Sequence, residues 1–205
     1  MSKIPFLVIR NFVSPLVCER VINDLGILKI PPMIGQNGKP KRMLFMNRLN
    51  QMRLSALLDP YVNNIEEHFE CEYFGTHNIQ FEWYPENSVP EPAKSDGYAK
   101  LNGEWIKSRE IDLTGILWLT ENNEDDLFDP EFECYGGKLE FPTFDTSFRP
   151  ERGTLVIFPT APNFLHTVAA VKAGTLCQAR FVIRTSEPYK YDPNKFNHNP
   201  NAWKL

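Results

Sequence analysis

Short runs of alternating apolar and polar residues dominate the second half of the chain. Turn-forming residues separate these runs, and each run has the length and alternation of a β-strand. No helical period long enough for a crossover lies between consecutive runs, so an antiparallel sandwich or barrel is favoured over a parallel doubly wound sheet. The predicted strands are His77 to Glu86, Asp112 to Glu121, Gly136 to Pro142, Gly153 to Thr160 and Leu176 to Thr185.

The first part of the chain has apolar residues at helical spacing instead. Pro5 to Arg10 predicts a short strand, and a helix follows with Ser14 as its N-cap and Pro15 in its first turn. Pro31 to Arg42 is rich in proline, glycine and basic residues and predicts a loop. Met52 to Glu70 predicts a second helix that supports the sheet.

These elements predict an α+β protein that is mostly β with flanking helices. The length of 205 residues is enough to bury a substantial core. We expect one domain overall, with an N-terminal strand and supporting helices at 1–75, a β core at 76–187 and a C-terminal tail at 188–205. The tail is expected to wrap the surface with Trp203 as an anchor.

The net charge and the hydropathy of the chain limit the classes of partner and the location that we expect. The net charge of -4 and the pI near 5.6 argue against a nucleic-acid binder, because neutralising phosphates requires a basic face. A small molecule, a peptide or a protein fits better. No apolar run approaches the roughly 18 residues of a membrane span, and the apolar part of Met1 to Asn11 is too short for a secretory signal, so we expect a cytoplasmic protein.

Cysteine and histidine supply few ligands for a metal. None of the cysteines stands in a CxxC pair, which disfavours a zinc ribbon or a redox motif and predicts free thiols. The chain has four histidines. The loop from Glu121 to Glu133 carries many carboxylates and is expected to be a solvated insertion, with a lid or a recognition surface for a basic protein partner as alternatives.

Three ordered segments carry a family resemblance: Gly136 to Phe141, Gly153 to Pro159 and His166 to Phe181. They resemble the double-stranded β-helix (jelly-roll, cupin-like) core of the 2-oxoglutarate and Fe(II) dependent dioxygenases. The likeness spans about Phe12 to Arg184 and is to prolyl-4-hydroxylase-like members, including those of bacteriophages. It implies Fe(II) and 2-oxoglutarate as cofactors, and hydroxylation of a C–H bond in a peptide, an amino acid or another small molecule.

The resemblance also implies a ligand set. Members of this family hold Fe(II) with two imidazoles and one carboxylate, of which a histidine and an aspartate come as an HxD motif. Asp96 matches the carboxylate and His166 matches the late histidine, but Lys94 stands where the first histidine is expected. Two alternatives stay open from the residues alone: Asp96 as a turn residue and His166 as a core histidine.

A guanidinium can grip the distal carboxylate of 2-oxoglutarate with two parallel hydrogen bonds. The resemblance places this role on Arg180, which follows His166 by 14 residues, with Arg184 as the second choice and Tyr84 lining the pocket. Arg180 pairing with a carboxylate on a neighbouring strand is the alternative.

Lys94 disfavours Fe(II) binding at the predicted site. A lysine must lose a proton before it can donate a lone pair, and its ordinary pKa is about 10.4. Loss of the metal is therefore the default expectation, with an ion pair between Lys94 and Asp96 in its place. Ligation by Glu91 or His77, or a desolvated neutral Lys94, would keep the metal.

Two functions follow from the sequence. One is an active 2-oxoglutarate and Fe(II) dependent hydroxylase. The other is a catalytically degenerate oxygenase fold that serves as a binding or structural protein, for instance in virion assembly. A cupin-like binder of sugars or acids is a third possibility, but the chain lacks the histidine-rich motif expected there.

Overall fold

The computed structural model describes residues 3–35, 37–124 and 129–198, apart from the side chain of Leu28. Its helices are α1 (Pro15–Leu25), α2 (Arg48–Ala56) and α3 (Val62–Phe69). Its strands are β1 (Leu7–Ile9), β2 (Met43–Phe45), β3 (Tyr73–Tyr84), β4 (Tyr98–Leu101), β5 (Glu104–Lys107), β6 (Leu113–Trp118), β7 (Glu121–Asn122), β8 (Glu133–Gly136), β9 (Leu139–Phe141), β10 (Thr146–Phe148), β11 (Leu155–Pro159), β12 (Thr167–Val168), β13 (Val171–Gly174) and β14 (Leu176–Thr185).

The largest sheet has six strands in the order β1-β11-β6-β14-β3-β2, and all its neighbours are antiparallel. Strands β6, β11 and β14 are almost wholly buried, because both faces of this sheet are covered. The predicted mostly-β fold is confirmed, and the structure has a strand within each range where the sequence predicted one. The division into 1–75, 76–187 and 188–205 stays a prediction.

A second layer covers one face of the large sheet. It consists of two three-stranded sheets, β10-β9-β12 and β13-β8-β7. Between the layers Phe6 packs edge-on against Phe141 and Phe164, with ring centroids 4.7 and 5.8 Å apart. This aromatic core closes the end of the sandwich next to His166, whose ring lies 5.0 Å from that of Phe158.

The helices cover the opposite face of the large sheet. The hydroxyl of Ser14 accepts a hydrogen bond from the backbone N–H of Val17, which confirms the predicted N-cap of α1. The single helix expected over Met52 to Glu70 is wrong. Instead α2 ends at Ala56 and α3 begins at Val62, because Asp59-Pro60 starts a 3-10 turn between them and proline cannot continue an α-helix.

Several smaller features complete the fold. The hairpin β4–β5, which turns at Asn102-Gly103, was not predicted although Asn-Gly is a strong hairpin signal. The cysteines are free, as expected. Trp203 and residues 125–128 of the acidic loop lie outside the described residues. In the described parts of the chain, no helix has the length and apolar character needed to cross a membrane.

Candidate active site

Two neighbouring strands bring polar side chains into the interior of the sandwich. In the antiparallel pair β3 and β14, Gln178 lies opposite Glu82 and Arg180 lies opposite Gln80. Side chains two residues apart on a strand share a face, so all four point to the same side of the sheet together with Tyr84. Because that side faces the second layer, Glu82, Tyr84, Gln178 and Arg180 are buried and need partners, whereas Gln80 is half-buried.

A loop brings the Lys-Ser-Asp motif to the same place. The backbone of Lys94 exchanges two hydrogen bonds with that of His166, each 3.0 Å long. The Ser95 hydroxyl accepts from the N–H of Tyr98 at 3.0 Å and donates to the carbonyl of Thr160 at 2.5 Å, which fixes the turn. Gly97 must be glycine here, since a Cβ would overlap the side chain of Thr160. Residues 94–96 are therefore held beside His166.

Asp96 is buried, with 5% of its surface exposed, and its carboxylate is held by a cation of the chain itself. Oδ1 accepts from Nη1 of Arg180, and Oδ2 accepts from the Thr114 hydroxyl at 2.9 Å. Burial alone would raise the pKa of Asp96, but His166 in its protonated form, the Arg180 guanidinium and the Thr114 hydroxyl together lower it below its usual value. Asp96 is thus an ionised, paired carboxylate.

His166 has the orientation of a histidine that offers Nε2 to a ligand. Its Nδ1 lies 3.1 Å from the carbonyl oxygen of Phe164, which can only accept, so Nδ1 carries the proton. Its Nε2 lies 3.6 Å from Oδ2 of Asp96. Burial lowers the pKa of His166 although the Asp96 carboxylate opposes that shift, which leaves a neutral imidazole with its Nε2 lone pair directed at Asp96.

An alternating series of ion pairs runs from Asp96 to the protein surface, and we call it the ion-pair chain. Arg180 Nε lies 3.5 Å from Oε1 of Glu82, and Arg42 Nη1 lies 3.1 Å from the same oxygen. Arg42 Nη2 and Lys94 Nζ then share Oε2 of Glu91, at 3.2 and 3.0 Å. From inside to outside its members are Asp96, Arg180, Glu82, Arg42, Glu91 and Lys94. Three cations therefore balance three carboxylates.

Most of the candidate residues from the sequence meet at this place. Asp96, His166, Lys94 and Arg180 are in contact, and the Tyr84 hydroxyl donates to Glu82 at 3.1 Å in the same pocket. The expected ion pair between Lys94 and Asp96 is wrong. The Lys94 ammonium turns outward to Glu91, because Arg180 already pairs with Asp96.

Arg184 is not brought to this site. Its guanidinium pairs with Glu110 at 2.9 Å and lies over the ring of Phe74, 5.4 Å from the ring centroid. His77, considered as a replacement ligand, stands on β3 opposite Val182 and is not among the residues that line the pocket.

The residues present do not fit an Fe(II) centre with two histidines and one carboxylate. Asp96 and His166 supply two of the three ligands, and the third position carries Lys94. The guanidinium of Arg180 contacts Asp96 Oδ1, so a dication there would face a cation across a shared carboxylate. Among the described residues, no group of three or more histidine, cysteine, aspartate or glutamate side chains is arranged to hold a metal ion.

The cavity beside the ion-pair chain is narrow. Its volume is about 20 Å³, which is roughly the room that one water molecule needs. Within the described part of the chain, Gln178 Oε1 and Arg180 Nε are buried side-chain atoms without a hydrogen-bond partner, and both belong to residues of the lining.

Sequence reasoning missed the inner members of this network. Glu82 was counted only as a polar position of an alternating strand, yet it is 2% exposed and accepts from Gln178 at 2.7 Å. Arg42 was assigned to a loop, and its guanidinium is the partner that allows Glu82 to be buried as an anion. A charged residue in the strand Ile79 to Tyr84, where the other face is wholly apolar, was the available signal.

No family model and no curated protein sequence matches this chain. Solved structures do. A viral collagen prolyl hydroxylase from Paramecium bursaria Chlorella virus-1, in complex with 2-oxoglutarate, aligns at TM-score 0.61 with 20% identity over 89% of this chain and 97% of that one. A prolyl hydroxylase from Trichoplax adhaerens with a hypoxia-inducible factor peptide aligns at 0.57 with 12% identity over 87% and 83% of the two chains.

A third structure is HygX from Streptomyces hygroscopicus with nickel, 2-oxoglutarate and hygromycin B bound, which aligns at TM-score 0.55 with 11% identity over 87% of this chain and 82% of that one. The fold is therefore that of the prolyl-4-hydroxylase-like 2-oxoglutarate oxygenases, and the predicted jelly-roll core is confirmed. The predicted resemblance is confirmed as well, with a viral protein among the similar structures.

Proposed function

We propose that this chain is an oxygenase-fold protein that binds a ligand in the family's pocket without oxidising it. The reason is that the Arg180 guanidinium supplies the positive charge beside Asp96 that a metal ion would otherwise supply. The observation that carries the proposal is the contact of the Arg180 guanidinium with Asp96 Oδ1. A buried carboxylate requires a positive partner, and either a metal or an arginine can supply it. As expected from the sequence, the proposed ligand is a small molecule or a peptide and not a nucleic acid.

A second candidate function is hydroxylation by bound Fe(II) and 2-oxoglutarate. One observation favours it: the Nε2 lone pair of His166 points at Asp96, as in a pair of metal ligands. For this function Arg180 would have to leave Asp96, and a third ligand would have to replace Lys94. Glu91 is the nearest carboxylate to Lys94 in the ion-pair chain, but it already accepts from two cations.

Anaerobic calorimetry with Fe(II) separates the two functions. We expect no Fe(II) uptake by the natural sequence or by Lys94→His, since Arg180 remains on Asp96 in both. The double variant Lys94→His, Arg180→Met restores the second imidazole and removes the cation, so it is expected to take up Fe(II). Circular dichroism melts of each sample establish that the variants are folded.

Two other results of the same titration would contradict the proposal. Fe(II) uptake by the natural sequence, followed by a visible charge-transfer band on addition of 2-oxoglutarate, would support the hydroxylase and overturn the proposal. Uptake by Lys94→His alone would show that Arg180 gives way to a metal and does not replace it.

A further inference from the structure

The outer end of the ion-pair chain has the composition of a carboxylate-binding site that is closed by a carboxylate of the chain itself. Arg42 Nη2 and Lys94 Nζ converge on the single oxygen Oε2 of Glu91, at 3.2 and 3.0 Å. The three side chains line the mouth of the same pocket. Glu91 thus stands where an external carboxylate would receive two charge-assisted hydrogen bonds.

Each of the two cationic residues has an anchor other than Glu91, through the side chain in Arg42 and through the backbone in Lys94. Arg42 is anchored by its other nitrogen to the buried Glu82, and its side chain is only 16% exposed. Lys94 is fixed through its backbone, which exchanges hydrogen bonds with His166. The Arg42 guanidinium would therefore keep its position if the Glu91 carboxylate moved away, and the backbone of Lys94 would keep the ammonium within reach of the mouth.

Glu91 can leave this place by rotating its side chain alone. Its backbone is restricted by Pro90 and Pro92 on either side, and its carbonyl accepts from the Thr167 hydroxyl at 2.6 Å. The side chain, in contrast, is 43% exposed and has open solvent beside it. Displacement then costs an exposed ion-pair interaction and no rearrangement of the loop.

We propose that the mouth of the pocket binds the carboxylate group of a ligand between Arg42 and Lys94, and that Glu91 is a built-in competitor which this ligand displaces. The inference rests on the proposed function, because it takes the same pocket as a binding site. The cavity behind the mouth holds only about one water, so the ligand's carboxylate stays at the mouth in the place of the Glu91 carboxylate, and the rest of the ligand lies outside. Free dicarboxylic acids and glutamate side chains of peptides share this chemistry.

NMR titration in chelator-treated buffer tests the inference with two probes. Succinate represents a free acid, and a blocked Gly-Glu-Gly peptide represents a side-chain carboxylate; succinamide and the glutamine peptide are their neutral counterparts. Glu91→Gln removes the competitor and is expected to tighten binding of at least one acidic probe by about fivefold, the scale of an exposed ion pair. The probe that gains identifies the source of the carboxylate.

Two further variants make the result specific. Adding Lys94→Gln to Glu91→Gln removes one of the two donors and is expected to abolish the gain. Glu86→Gln removes a carboxylate from the same loop that accepts a hydrogen bond from Asn87, and is expected to leave the affinity unchanged. An equal gain in Glu86→Gln, an equal gain for the neutral probes, or no gain in Glu91→Gln would each overturn the inference.

Fe(II) calorimetry on the same samples keeps this inference separate from the proposed function. If the natural sequence takes up metal and Glu91→Gln binds an acidic probe more tightly, the proposed function is wrong and the carboxylate site is supported. If there is no metal uptake and Glu91→Gln binds the probes no more tightly, only the carboxylate site is wrong.

Discussion

Removing the guanidinium of Arg180 should destabilise the protein strongly. In Arg180→Met the carboxylate of Asp96, which is 5% exposed, loses its direct cationic partner and keeps only the Thr114 hydroxyl and the neutral His166. Breaking a buried pair from one side typically costs 3–5 kcal/mol, so we expect a loss of about 4 kcal/mol in the free energy of unfolding. For a chain of this length that corresponds to a fall in Tm of roughly 8–16 °C.

The assay is urea denaturation in chelator-treated buffer, followed by tryptophan fluorescence. Arg184→Met is the matched control, because Arg184 lies on the same strand but pairs with Glu110, which is 80% exposed. An exposed pair of this kind contributes about 0–1 kcal/mol. Asp96→Asn in the Arg180→Met background should recover part of the loss, since the uncompensated charge is gone, and the two substitutions should couple by about 1.5–3 kcal/mol.

Equal effects of Arg180→Met and Arg184→Met on the free energy of unfolding would contradict this prediction. So would strictly additive effects of Arg180→Met and Asp96→Asn. Either result would mean that the charge of Asp96 is compensated by something other than Arg180.

The remaining predictions concern the scaffold around the site. Burial alone would raise the pKa of Asp112, but Lys107 and the backbone N–H groups of Thr185 and Tyr189 lower it. The ionised carboxylate therefore stabilises the fold at pH values above its unfolded pKa of about 3.9. This stabilisation is lost as the pH falls through the lower pKa of the folded state. Stability measured from pH 6 to pH 2 should therefore fall less steeply in Asp112→Asn, and an unchanged slope would contradict this. Gly153→Ala should cost more than about 1 kcal/mol in urea melts, because Gly153 has φ +83° and a Cβ there would overlap the carbonyl of Val13; a neutral effect would show that the backbone can shift.

The fold was predictable from the sequence where one element could be assigned without its neighbours. Leu155 to Pro159 and Leu113 to Trp118 are short apolar runs between turn residues, and the structure has strands there. The break between α2 and α3 was marked by Pro60 but outweighed by the helical spacing of apolar residues on both sides. Local signals therefore sufficed except where two of them competed.

The site was predictable only in part, for a physical reason. Asp96, His166 and Lys94 follow a motif with fixed order along the chain, so a resemblance could find them. The partners that decide the chemistry come from strand register: Arg180 meets Asp96 and Glu82 because β14 lies between β3 and β6 with a particular offset. The alternation of a strand indicates which residues share a face but not what covers that face, and so the burial of Glu82 could not be predicted.

The proposed function requires that Arg180, and not a metal ion, compensates the charge of Asp96. The most direct measurement is anomalous X-ray diffraction from crystals grown and soaked anaerobically with Fe(II) and 2-oxoglutarate. We expect no anomalous peak between Asp96 and His166, with density for the Arg180 guanidinium on the Asp96 carboxylate. A strong peak within bonding distance of Asp96 Oδ and His166 Nε2, with Arg180 turned away, would contradict it.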